Sequence, residues 1–186
     1  MRYILASKSP RRKDLMKYIS SDFLIAIEDI DESSSYNLSP VEAVKEIAKR
    51  KGEAVYKSYP KDLIISADTI VVLNNKIIGK PKDEIDAMKI LKELSNQTHY
   101  VYTGFAIHYQ GKLIVDAVET KVIFNKLNDE LIKDYVKSGS PLDKAGAYGI
   151  QDNDNFPIIK NIIGSYDNVV GFPVKEIKEK IEEIVK

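Results

Sequence analysis

Cysteine is missing from this chain altogether. Disulfides, thiolate zinc sites and cysteine nucleophiles are excluded with it. Histidine is nearly missing: His99 and His108 are the only two, both in a β-like region, with no partner at metal-ligand or relay spacing. Both are expected to be structural. There is no GxSxG elbow and no P-loop signature, so a Ser–His–Asp hydrolase and a Walker-type nucleotide site lack support. An excess of charge of one sign is also lacking, because 28 Lys+Arg balance 28 Asp+Glu. That argues against a broadly basic nucleic-acid face and leaves room for a local cationic pocket. No apolar run approaches the ~20 residues that span a bilayer. Charged residues follow the N-terminal apolar stretch within a few positions, unlike a signal peptide. A soluble, cytoplasmic protein with neither membrane nor nucleic-acid partner is the expectation. Its 186 residues can build one domain, or two small lobes sharing a cleft, around a sound core.

What is present begins with Tyr3-Ile4-Leu5-Ala6, a short apolar strand, followed by the polar turn Ser7-Lys8-Ser9-Pro10. Ser9 suits an N-cap and Pro10 the first helical position. Arg11 and Arg12 follow in a chain with only four arginines. Paired guanidinium forks at a helix start can bind phosphate, and an ordinary solvated basic turn is the plainer alternative. Ser39-Pro40-Val41-Glu42 has the capping-box pattern, ahead of a stripe of Val44, Ile47, Ala48 and Val55. Leu63 to Leu73 reads as strand interrupted at Asp68-Thr69, and Asn74-Asn75 as a hairpin turn into Lys76-Ile77-Ile78-Gly79. Asp83 caps a helix with Ala87, Met88, Leu91 and Leu94. Tyr100–Tyr109 and Leu113–Phe124 read as strands around a Gln110-Gly111 turn. Asn128 opens a helix stopped at Gly139, a glycine-punctuated stretch runs from Gly146 to Gly171, and Pro173 begins a terminal helix. The class is α/β with a mixed sheet.

Several residues break local rules. Lys51 lies on its helix's apolar stripe, either snorkelling from the edge or aimed into a cleft. Gly52 weakens the same helix by roughly 1 kcal/mol relative to alanine, a cost that close packing would explain. Asp68 puts a carboxylate where a buried strand is expected. It must be paired, metal-bound or shifted in pKa, unless the strand opens to solvent there. A rigidly held acid or base is the favoured reading. Lys80, in Gly79-Lys80-Pro81, is a further cation on a stiff segment, or simply a hairpin exit. Glu28, Asp29, Asp31 and Glu32 form an acidic cluster, as common on solvated surface as around magnesium. In Asp143 to Gln151, small residues would let backbone approach a ligand. Tyr148 could pack against a base and Gln151 could read a base edge, while a plain loop remains the simpler account.

Taken together, six stretches resemble the Maf family of nucleoside triphosphate pyrophosphatases. They are Leu5 to Arg12, Ser66-Ala67-Asp68-Thr69, Gly79-Lys80-Pro81, Tyr102-Thr103-Gly104, Asp143 to Gln151, and Gly164-Ser165-Tyr166 through Val170-Gly171-Phe172-Pro173. They keep the family's order and spacing over essentially the whole chain, residues 1–186, as one Maf-like domain. The resemblance implies an elongated mixed β-sheet flanked by helices, with two lobes around a central cleft, related to the inosine triphosphatases. It implies hydrolysis of a nucleoside triphosphate to monophosphate and pyrophosphate with a divalent cation, Mg2+ or Mn2+.

Asp68 matches the family's proton acceptor. Arg11, Thr69 and Gln151 match three specificity positions, in the combination of the dTTP/UTP branch. Ser7, Arg12, Glu32, Lys51 and Lys80 match other polar positions of the site. Arg11, Arg12, Lys51 and Lys80 would then surround the phosphates, and Glu32 would join Asp68 at the metal. A homodimer is a further expectation from the resemblance. Departures are Asp152 in place of a customary glycine, Asn153 to Phe156 in place of small residues, Phe172 for leucine and Gly52 for alanine. The first lies beside the base-reading glutamine and bears on base preference. Other readings are a house-cleaning pyrophosphatase for non-standard purine or methylated triphosphates, and a non-catalytic nucleotide-binding regulator of cell division.

Overall fold

The computed structural model describes residues 1–186 apart from the side chains of Ser34 and Tyr36. β1 (Tyr3–Leu5) runs parallel to β2 (Phe23–Ile25) and to β3 (Leu63–Leu73), with Ile4 opposite both Leu24 and Ile64. Among the described residues the sheet has seven strands in the order β2-β1-β3-β5-β6-β7, with β4 (Lys76–Ile78) paired antiparallel to the far end of β3. β5 (Thr98–Tyr109), β6 (Lys112–Phe124) and β7 (Ile159–Ile163) complete it. The mixed α/β class is as expected.

The chain divides into two compact units. The first holds Met1–Thr69, Thr103–Val118 and Gly171–Lys186. Its helices are α1 (Pro10–Met16), α2 (Pro40–Tyr56) and α6 (Val174–Ile184). Ser9 and Ser39 cap α1 and α2 as their sequences predict, each side chain accepting from the backbone three residues on. Its largest apolar cluster joins Leu5, Ile65, Phe105 and Phe172 to the inner face of α6, where Ile177 and Ile184 are buried. Each such side chain contributes about 1.5–3 kcal/mol over remaining exposed. Gly52 in α2 is where the helix meets His108 and Ser66. A Cβ there would stand 2.7 Å from each, so close packing accounts for that glycine.

The second unit holds Ile70–Tyr102 and Glu119–Val170. It contains β4, β7, α3 (Glu84–Leu94), α4 (Asp129–Lys137) and α5 (Tyr166–Val170). Asn74 and Asn75 both take positive φ (50° and 63°) in the hairpin that the Asn-Asn pair predicts. Its core centres on Leu91, Leu94, Val101, Phe124, Tyr135 and Tyr148.

Two expectations need correction. Strand β3 is not interrupted at Asp68-Thr69 but continues through both. A nearby ammonium pairs with the carboxylate, so the strand need not open to water. Tyr148 is not available to pack on a base. It is 5% exposed, its ring meets Phe124 and His99 edge-on, and its hydroxyl lies 2.8 Å from His99 Nε2. Within the glycine-punctuated stretch the chain also forms β7, α5 and the 3-10 turn Ile150–Asp152, which its turn-rich composition hides, and two more 3-10 turns, Ser140–Asp143 and Ala145–Ala147, lead into it.

Candidate active site

The apolar stripe of α2 sets where Lys51 points. With Ile47, Ala48 and Val55 buried, Lys51 shares their side of the helix and stretches toward β3. Its Nζ donates to Asp68 Oδ1 at 2.8 Å and stands 2.8 Å from Glu32 Oε1. The Lys51 side chain is 23% exposed and that of Asp68 only 13%. Lys51 is therefore paired with two carboxylates rather than snorkelling to solvent. Asp68 is a buried carboxylate held by a single-point cation.

A second group forms around Arg12. Its Nε donates to the Gly171 carbonyl (2.8 Å), one terminal nitrogen to Ser7 Oγ (3.3 Å) and the other to Thr69 Oγ1 (3.1 Å). The fork therefore ties the turn after β1, the middle of β3 and the segment before α6 together. Gly171 sits at φ 109°, and a Cβ there would come within 3.0 Å of Thr69 Oγ1, so glycine is needed on both counts. Burial lowers the Arg12 pKa. The field of Asp68 works against that, Arg11 adds to the lowering, and Glu32 opposes it. A guanidinium stays charged through such a shift. Thr69 Oγ1 also lies 2.9 Å from Thr103 Oγ1.

Ser7, Arg11, Arg12, Glu32, Lys51, Asp68 and Thr69 all belong to the first unit. Hydrogen bonds join Ser7, Arg12 and Thr69, and ion pairs join Glu32, Lys51 and Asp68. Arg11 and Asp68 both lie close enough to Arg12 for their charges to act on it. Lys80 and Gln151 belong to the second unit. Lys80 is exposed after β4, where the Gly79 carbonyl accepts from Gly146 N–H at 3.0 Å. Gln151 is exposed on the 3-10 turn Ile150–Asp152.

One residue falls within a matching stretch but is given no role by sequence reasoning. Thr103 is fully buried beside Thr69. The available signal was a hydroxyl in an otherwise apolar stretch, Phe105-Ala106-Ile107 following directly. Ser66, likewise fully buried, donates to the Ala48 carbonyl at 2.7 Å and so clamps α2 to β3 two residues before Asp68.

The donor chemistry suits a hard divalent ion. Two carboxylates, Asp68 and Glu32, already converge on one cation, the Lys51 ammonium. Magnesium is commonly bound through one or two carboxylates, with phosphate and water oxygens completing its octahedron. Among the described residues no three His, Cys, Asp or Glu side chains gather closely enough to hold a metal unaided. The residues therefore fit an ion shared with a phosphate ligand. Elsewhere on the first unit, a surface hollow of about 550 Å³ is lined by Lys13, Lys17, Ser21, Phe23, Leu24 and Ile25, none of them an expected site residue.

Comparison with known proteins adds the following. The family model described as "Maf-like protein" matches residues 2–184. A protein of Geobacter sp. (strain M21) named dTTP/UTP pyrophosphatase is 42% identical over 183 residues, covering 97% of this chain and 94% of its own length. A protein of Clostridium botulinum (strain Kyoto / Type A2) with the same name is 44% identical, covering 97% and 96%. Among solved structures, a HAM1 protein from Coxiella burnetii superposes with a TM-score of 0.57 at 15% identity over 98% of this chain and 99% of its own. The Staphylococcus aureus Ham1 protein gives 0.54 at 13%, covering 99% and 100%. At those identities the solved structures speak for the fold alone.

Proposed function

The chain belongs to the Maf family, and from that premise we propose that it hydrolyses nucleoside triphosphates, dTTP and UTP foremost, to the monophosphate and pyrophosphate. Relatives named dTTP/UTP pyrophosphatase align over nearly its whole length. The observation that carries the reading is the Lys51 ammonium lying 2.8 Å from both Asp68 and Glu32. A cation held between two acids is well placed to exchange partners when a polyanion enters.

In this reading the triphosphate's oxygens draw the Lys51 ammonium and the Arg11 guanidinium toward themselves. That frees a carboxylate oxygen of Asp68. Asp68 then takes a proton from water as the water oxygen bonds to the α-phosphorus, and the bond from that phosphorus to the bridging oxygen of pyrophosphate breaks. Arg12, held by Gly171, Ser7 and Thr69, keeps the Thr69 hydroxyl oriented and adds positive potential without needing to move. Asp68 and Glu32 are the residues that would hold a divalent ion. When bound, such an ion neutralises phosphate oxygens and so favours attack and departure. Gln151 reads the base: its amide carries acceptor and donors together, matching the O and N–H edge of thymine or uracil. Lys80 adds positive charge for the phosphate chain. The cytoplasm, where nucleoside triphosphates are used, is the compartment that fits this activity.

The test is a panel of dTTP, UTP, CTP, dATP, GTP and methylated GTP, assayed for pyrophosphate with magnesium and with manganese. Preferred turnover of dTTP and UTP is expected. Preference for a purine would overturn the pyrimidine assignment, and binding without pyrophosphate release would make the protein a nucleotide sensor instead.

A further inference from the structure

Gln151 stands out in its own neighbourhood by having nothing to hold it. It is exposed, and its side-chain amide has no partner among the described residues. Every residue around it is tied. Ile150 is buried in the core of the second unit. The Asp152 carboxylate accepts from the Tyr135 hydroxyl at 2.6 Å and from Ser140 Oγ at 2.7 Å. The same Tyr135 oxygen accepts the Gly149 N–H at 2.9 Å, so one hydroxyl fastens both shoulders of the turn. Lys144 Nζ donates to Ser140 Oγ at 3.0 Å and to the Ser140 carbonyl, bringing a positive charge to the network's far end. The Asn153 side chain brackets the Ile159 backbone, accepting from its N–H at 2.7 Å and donating to its carbonyl at 3.3 Å. The Phe156 ring packs 4.8 Å from that of Tyr135.

A free amide on an immobilised turn is the arrangement that binding requires when orientation must be selective. The turn's ordering cost is met on folding rather than at ligand capture. Charge-assisted hydrogen bonds such as those to Asp152 are short and roughly twice as strong as neutral ones. Burial first, and then the bond to Asp152, raises the Tyr135 pKa. The hydroxyl therefore stays protonated and donating throughout the working pH range.

We infer that Asp152 is a positioning residue for base selection: anchored to Tyr135 and Ser140, its carboxylate holds the turn that presents the Gln151 amide to the nucleobase. The inference rests on the pyrimidine triphosphate reading above. It places the determinant of stringency one residue away from the group that touches the base. Without the anchor, Gln151 remains, but its amide samples positions in which donor and acceptor no longer meet a single base edge.

The experiment compares the intact protein with Asp152→Ala, Ser140→Ala, Gln151→Ala and the double variant Asp152→Ala/Gln151→Ala, measuring kcat and KM for dTTP and CTP. Both anchoring bonds end on the same Asp152 oxygen, which the alanine lacks. Asp152→Ala is expected to lower the dTTP-over-CTP ratio of kcat/KM about tenfold while kcat on dTTP stays within about threefold. Ser140→Ala removes one anchor without altering charge and should give a smaller loss of the same kind. Gln151→Ala should lose discrimination by itself, and adding Asp152→Ala to it should cost no more, the signature of two residues acting as one unit. Lost discrimination in Gln151→Ala with full discrimination in both anchor variants overturns the inference and spares the reading beneath it. Unchanged discrimination in Gln151→Ala overturns the base-reading role itself. If Asp152→Ala fails to fold, Ser140→Ala decides by the same ratio.

Discussion

The two units use the same ingredients, a carboxylate, a lysine and hydroxyls, to opposite ends. In the first, Lys51 touches Asp68 and Glu32 directly, cation against anion. In the second, Lys144 and Asp152 are both bonded to Ser140, and the Tyr135 hydroxyl donates to the same carboxylate oxygen of Asp152 as Ser140 does. A direct pair can be traded for another pair when a charged ligand arrives, because the exchange leaves no group bare. A relay through hydroxyls inside a turn cannot be traded without dismantling the turn. Removing one partner of a buried hydrogen bond costs the full desolvation penalty of the group left behind. The first arrangement is exchangeable and the second is fixed.

The sharpest way to break this contrast is at Asp68. Asp68→Asn keeps the shape and removes the proton acceptor, and turnover of dTTP should fall by about two orders of magnitude or more. A folded variant with near-normal turnover in a pyrophosphate assay would move the chemistry off this residue. Lys51→Met comes next. It takes away the exchangeable cation and should raise KM for dTTP about tenfold or more, a larger change than any in kcat. Equal KM would mean that the pair with Asp68 is structural only. In the second unit, Tyr135→Phe should cost about 1–2 kcal/mol of unfolding free energy by denaturant titration. No loss there would show the hydroxyl relay to be as dispensable as a surface pair.

The mildest test uses acid, since each unit buries one histidine. Burial lowers both His99 and His108 from 6.5 to about 4, with Lys49 adding a smaller push on His108. Both are neutral in the folded protein above that value. Their contribution to stability is complete above pH 6.5 and lost as pH falls toward 4, because the unfolded chain takes up the protons first. The thermal midpoint should therefore decline across that window and stay nearly level just above it. A midpoint rising on acidification would contradict the buried, neutral assignment.

Much of this was legible in the sequence because it follows local rules. Ser9-Pro10 and Ser39-Pro40 start helices, Asn74-Asn75 turns a hairpin, and the stripe of α2 predicts on which side Lys51 lies. Asp68 was conspicuous because a carboxylate in an apolar run has few ways to persist. What stayed hidden depends on partners distant in the chain. Nothing near Tyr148 announces that its ring fills a core with Phe124 and His99. Nothing near Asp152 announces the Tyr135 hydroxyl, and Thr103 reads as one more strand hydroxyl until Thr69 stands beside it. The short pieces β2, β7 and α5 lack the length for a periodic pattern and owe their form to the neighbours they pair with.

The bond from Arg12 to the Gly171 carbonyl spans 159 positions, which has a bearing on the order of biosynthesis. Domains tend to fold from the N-terminal side as the chain is made. The guanidinium must wait for that carbonyl until nearly the whole polypeptide has left the ribosome. Translation halted before residue 171 leaves an arginine with two hydroxyl acceptors and no backbone one. The tie between the two ends of the chain is thus among the last features to mature.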